Sequence, residues 1–92
     1  TWNSIFYNSF KFRFQLSWSP NGGTGSYTIE YRIVGDTTWF SDTAVSSALS
    51  KSVYEVQSTV DTNWEFRIKR LDVLTGEADW SYSDPVFVRG SN

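Results

Sequence analysis

The chain has 92 residues, 39% of them hydrophobic and 18% aromatic, with no Cys, His or Met and a formal charge of −2. That length organises one core, so residues 1–92 read as a single domain. The charge balance gives no cationic field to attract nucleic acid, and without imidazole or thiol no Ser-His-Asp, Cys-His or zinc–thiolate constellation can form.

No stretch approaches the roughly 20 apolar residues of a membrane span, and no Asn-x-Ser/Thr sequon occurs. A start at Thr1, without initiator Met or leader, reads as a piece of a longer polypeptide. With no disulfide available, the 5 Trp, 5 Tyr and 7 Phe must build the core.

In chain order, Trp2 to Tyr7 is expected to be a short strand. From Phe10 to Trp18, Phe10, Phe12, Phe14, Leu16 and Trp18 alternate with polar residues, the period of a half-buried strand. Pro20 and three glycines within Ser19 to Ser26 stop it. Tyr27, Ile29, Tyr31 and Ile33 mark the next strand, and Gly35-Asp36 turns the chain into a short aromatic strand at Trp39-Phe40. Ser41 to Ser52 reads as a loose connection or weak edge strand. Val53 to Val60, with Tyr54, Val56 and Val60 on one parity, predicts a strand, as do Trp64, Phe66 and Ile68 against Glu65, Arg67 and Lys69. Thr75 to Asp79 marks a long turn, and Tyr82 to Arg89 a last strand with Val86 and Val88 on one face. No segment shows a sustained 3.6-residue apolar period, so the prediction is an antiparallel β-sandwich of about seven strands.

The series Leu16-Ser-Trp18-Ser-Pro20, Tyr27-Thr-Ile29-Glu-Tyr31-Arg32, Trp39, Trp64-Glu-Phe66-Arg-Ile68 and Ser81-Tyr-Ser83-Asp-Pro85-Val86 resembles the fibronectin type III family. The resemblance covers residues 10–88 and implies an all-β, immunoglobulin-like Greek-key sandwich without a disulfide, three strands facing four. It further implies a non-catalytic spacer or adhesion module at a cell surface, outside the cell or on a virion. Two departures stand out: Trp64 occupies the position of the family's corner Tyr, and Val56 to Trp64 lacks the usual Leu and Pro-Gly pair.

Among functional candidates, Glu30, Arg32, Glu65, Arg67 and Lys69 are expected to form cross-strand ion pairs rather than an anion site. Arg70 falls on the inward parity, so it reaches the sandwich rim or marks a bulge. Trp80-Ser81 with Tyr82-Ser83 is weakly similar to the Trp-Ser box of the cytokine-receptor branch, predicting a cation–π contact of Trp80 with Arg67 or Lys69. Asp72, Glu77 and Asp79 read as a solvated acidic loop rather than a calcium site, and neither they nor Glu55 with Asp61 offer a cleft for acid–base catalysis. No cofactor, metal or membrane insertion is expected, and the isolated domain reads as a monomer. Trp39 is placed at the core edge and Trp18 at the core centre, against Tyr31 and Phe66. The candidate partner-binding residues are Glu77, Asp79, Trp80 and Phe87. The partners in view are neighbouring domains of the parent chain or a protein or glycan ligand, and the alternative reading is an accessory carbohydrate-binding module.

Overall fold

The computed structural model describes residues 2–20, 25–55, 59–72, 76–77 and 80–90, with the backbone alone at 54–55, 71–72 and 76–77. The strands are β1 (Trp2–Asn8), β2 (Arg13–Trp18), β3 (Tyr27–Ile33), β4 (Phe40–Ala44), β5 (Ser50–Glu55), β6 (Thr62–Asp72), β7 (Gly76–Glu77), β8 (Ser81–Tyr82) and β9 (Val86–Val88). One antiparallel sheet runs β1-β2-β5, and the other runs β4-β3-β6, with β7, β8 and β9 all pairing with β6. No helix occurs among the described residues, and the architecture is the expected two-sheet β-sandwich.

Alternation places the core. Phe14, Leu16 and Trp18 of β2, Tyr27, Ile29 and Tyr31 of β3, and Trp64, Phe66 and Ile68 of β6 are all buried, because every second side chain points inward. The sheets meet through rings: Phe14 lies 4.9 Å from Phe66 and 5.5 Å from Trp64, while Trp18 lies 5.3 Å from Tyr27. Burying one such side chain contributes about 1.5–3 kcal/mol. Trp18 is buried as expected, but its ring contacts include Tyr27 and, at 6.1 Å, Trp2, towards one end of the sandwich. The middle belongs to Phe14, Phe66 and Tyr31, whose ring lies 5.8 Å from that of Phe66.

Several sequence expectations are corrected. The second strand begins at Arg13, not Phe10, because Asn8 Oδ1 accepts hydrogen bonds from the N–H of Phe10 (3.0 Å) and Lys11 (3.1 Å) and closes a turn over Ser9–Phe12. Phe12 there has φ 56° and Phe10 is 94% exposed. In β5 the buried residue is Val53, since pairing opposite Phe14 gives it the inward parity; Val60 is exposed, and Val56 lies outside the described residues. The Ser41–Ser52 stretch takes the edge-strand form at its start, where β4 lies at the sheet edge, and enters β5 at its end, with the connection confined between them.

The stretch read as one long turn holds β7, whose Gly76 and Glu77 pair with Asp72 and Leu71. The last strand is broken into β8 and β9. At the break Ser83 N–H donates to Phe66 O (2.8 Å) while Ser83 Oγ accepts from Phe66 N–H (3.0 Å), so a hydroxyl replaces a backbone ladder bond just ahead of Pro85, which lacks an N–H. The turn after β3 is as expected: Asp36 N–H donates to Ile33 O at 3.0 Å, with Gly35 at φ 99°, a conformation that favours glycine.

Candidate functional surfaces

On the outer face of the second sheet, Glu30 lies opposite Arg67 and Arg32 opposite Glu65. Arg32 Nε donates to Glu65 Oε1 at 2.5 Å and Arg67 Nε to Glu30 Oε1 at 2.8 Å, and Arg67 Nη2 bonds the same Glu30 oxygen. Two of the expected cross-strand ion pairs, Glu30–Arg67 and Arg32–Glu65, therefore form. Two indoles interleave with these cations. Trp39, just ahead of β4, has the Arg32 and Arg67 guanidinium carbons 4.1 Å and 4.0 Å from its ring centre. Trp80, just ahead of β8, has Arg67 at 4.3 Å and Lys69 Nζ at 4.4 Å. The result is a ladder, Arg32–Trp39–Arg67–Trp80–Lys69, in which each cation–π contact is worth about 0.5–1 kcal/mol, more where desolvated.

Arg67 is the hub of this ladder, since its Nη1 also reaches the Tyr82 hydroxyl at 3.4 Å. Burial pulls its pKa down, but the hydrogen bonds and attraction to Glu30 and Tyr82 outweigh this and hold it above the ordinary arginine value. Trp80 thus meets both of the cations expected for it. Trp39 does not sit at the core edge: it lies on the outer face, because arginines two positions apart on neighbouring strands leave a slot one ring wide.

Arg70 takes the inward parity in an unbroken register opposite Tyr27, so no bulge is present. It caps the sandwich rim, Nε donating to Gly25 O and Nη2 to Ser46 O, each at 2.8 Å, with its guanidinium 4.8 Å from the Tyr27 ring centre. Trp64, in place of a corner Tyr, donates its indole N–H to Thr62 Oγ1 at 3.0 Å, two residues upstream.

Each open side of the sandwich is closed by a side chain. Between β4 and β5, Lys51 Nζ donates to Thr43 O at 2.5 Å and lies 3.2 Å from Asp42 Oδ1. Between β1 and β8, Trp2 Nε1 donates to Ser81 O at 3.0 Å. An open groove of about 460 Å³ runs along this second side, with Trp2, Ile5, Pro85 and Val86 as its apolar lining and Asp84 as its one charge.

Of the candidate partner-binding residues, Trp80 is half-buried in the ladder and Phe87 is 56% exposed on β9. Glu77 has its backbone in β7 and Asp79 lies outside the described residues, so of the four only Trp80 and Phe87 are placed with their side chains. Asp61 accepts the Gly90 N–H at 2.7 Å. No group of three or more carboxylates placed to hold one metal ion occurs among the described residues. Trp39 was the functional-surface residue missing from the sequence reading; its one signal was a Trp-Phe pair following a glycine turn.

No protein-family model matches the chain, and no curated protein is similar to it in sequence. Solved structures are similar in shape. A fibronectin type III domain of human collagen XX superposes with a TM-score of 0.71 at 17% identity, covering 95% of this chain and 88% of that one. A structure described as a myokine gives a TM-score of 0.60 at 13% identity, covering 100% of this chain and 92% of the other. Sheet order, the absence of cysteine and this likeness agree: in fold, the chain is a fibronectin type III-like β-sandwich.

Proposed function

We propose that the chain is a non-catalytic spacer module of an extracellular or virion-surface protein, which positions neighbouring domains and binds a protein partner weakly. The observation that carries this reading is the placement of the two ends. Trp2 pairs opposite Trp18, whose ring meets Tyr27 at the start of β3. Val88 pairs opposite Thr62 at the start of β6, beside the end of β3, where Ile33 faces Trp64. The chain therefore enters at one end of the sandwich and leaves at the other, and its longest extent is 48 Å. A module threaded in this way transmits position along a line.

The carbohydrate-binding alternative needs a row of free rings. Trp80 is stacked with cations, Trp2 is half-buried with its N–H bonded, and Phe40 stacks on Tyr31 at 5.8 Å; the exposed rings that remain are divided between the sheets, Phe6 and Phe10 on β1 and the turn after it, Tyr82 and Phe87 on β8 and β9. This favours the spacer. Excising the module from its parent polypeptide should shorten the parent's maximal dimension in small-angle scattering by an amount approaching the 48 Å extent. An unchanged dimension, or saturable quenching of Trp fluorescence by a soluble polysaccharide at micromolar concentration, would overturn it.

A further inference from the structure

From the hydrogen bonds on its side chain, we infer that Asn8 is a modification site, at which the β1–β2 turn promotes deamidation of the asparagine to aspartate and isoaspartate. The reaction needs only water. The backbone nitrogen of Ser9, having lost its proton to solvent, attacks Asn8 Cγ. The N–Cγ bond forms, the Cγ–Nδ2 bond breaks, Nδ2 takes up a proton and leaves as ammonia, and a cyclic succinimide remains. Water then opens the ring at either carbonyl, its hydroxyl going to carbon and its proton to the nitrogen, which gives aspartate or isoaspartate.

Three features of the turn favour this course. The first is the oxygen. As Cγ becomes tetrahedral, negative charge develops on Oδ1, and that atom already accepts from the N–H of Phe10 at 3.0 Å and of Lys11 at 3.1 Å. Two backbone donors aimed at the atom where charge develops stabilise a tetrahedral intermediate, whereas around a flexible peptide water must first reorient.

The second is the nucleophile. The ring closed by the Phe10 bond contains the Ser9 nitrogen, so the carboxamide is held folded over the peptide unit that attacks it. The Ser9 N–H makes no hydrogen bond among the described residues, and Ser9 is exposed to the water that takes its proton.

The third is the product. Isoaspartate lengthens the main chain by a carbon at the entrance of a turn in which Phe12 has φ 56°, an outlier for a bulky side chain, and a longer turn lets Phe12 leave that conformation. In the aspartate product the new carboxylate stands opposite Arg13 in the strand register, so the charge appears across from a cation.

Other asparagines separate the turn from intrinsic reactivity. Asn3 is also followed by Ser, yet among the described residues its Oδ1 accepts one hydrogen bond, from the Ser19 hydroxyl at 2.8 Å, and Ser4 is paired opposite Ser17. Asn63 precedes Trp64, which is paired on both sides within β6, so the ladder takes up its N–H. Asn21 precedes Gly22, the least hindered of neighbours, and reacts on that ground alone.

The test incubates the 92-residue chain at mildly alkaline pH, folded and unfolded in guanidinium chloride, and follows each asparagine by fragment mass spectrometry of its tryptic peptides. Asn8 should react about tenfold faster in the folded chain than in the unfolded one, while Asn3 slows on folding. Ser9→Pro, which removes the attacking N–H, should abolish the reaction at Asn8 in the unfolded chain and leave that at Asn21 unchanged. Asn8 reacting no faster folded than unfolded, or showing the same ratio as Asn3, would overturn the role of the turn. Persistence of the reaction at Asn8 in Ser9→Pro would overturn the route through Ser9.

Discussion

At the scale of single residues, the buried rings set the stability and do so unequally. Phe14 sits between Tyr7, Trp64 and Phe66, at 5.1, 5.5 and 4.9 Å, so truncating it removes contacts on three sides at once. Phe14→Ala should cost about 3–5 kcal/mol, a large share of the roughly 5–15 kcal/mol that holds a domain together. Trp18→Ala should cost a similar amount, since it also strips a partner from Trp2 and leaves Ala48 O without the indole N–H that reaches it at 3.2 Å. Urea denaturation checks both, and a loss below about 1 kcal/mol for either would mean that the residue is not central. Tyr27 is the opposite case. Its hydroxyl is buried without a hydrogen-bond partner, a rare condition among the described residues. Removing an unsatisfied polar atom while keeping the ring relieves a desolvation cost, so Tyr27→Phe should be neutral or stabilising by up to about 1 kcal/mol. A clear loss of stability in the same denaturation would show that the hydroxyl has a partner in solution.

At the scale of elements, strict alternation was readable and interruptions were not. Tyr27–Ile33 and Trp64–Ile68 show their burial in the sequence, because an inward face two residues apart demands it. Phe10 and Phe12 continue the same alternation but belong to a turn, since one Asn side chain satisfied two backbone donors that a ladder would otherwise have taken. The inward parity of β5 is not legible because Tyr54, Val56 and Val60 outweigh Val53 in the pattern, and its face is fixed only by the partner strand. The outer-face ladder was half legible. The Trp80 contacts followed from a local motif, whereas Trp39 entered the stack through a turn whose path no periodicity encodes. A double-mutant cycle on Trp39→Ala and Arg67→Ala should return a coupling of about 0.5–1 kcal/mol or somewhat more. A coupling near zero would reduce the stack to coincidence. Because Arg67 is held above its ordinary pKa, the coupling should not change between neutral and mildly alkaline pH.

At the scale of the whole molecule, the pairings at the centre of each sheet, β2 with β5 and β3 with β6, join strands distant in sequence. Closing such loops costs entropy before any contact offsets it, so folding should fall in the range of milliseconds to seconds. Stopped-flow Trp fluorescence measures this directly, and microsecond folding would contradict the topology. Fold class was legible because the absence of Cys excluded disulfides, no 3.6-residue apolar period pointed to helices, and alternation was left as the strong pattern. The Lys51 contact bears also on unwanted association. β4 is an edge strand, and such edges are templates for pairing with a neighbouring copy, which is how repeated β-domains co-aggregate or exchange strands. Lys51 already occupies the Thr43 carbonyl and sets an ammonium on that edge, so an incoming strand would have to displace a bond and bury a charge. The side chain that bridges the sheets thereby also disfavours pairing of this edge with a second copy of the chain.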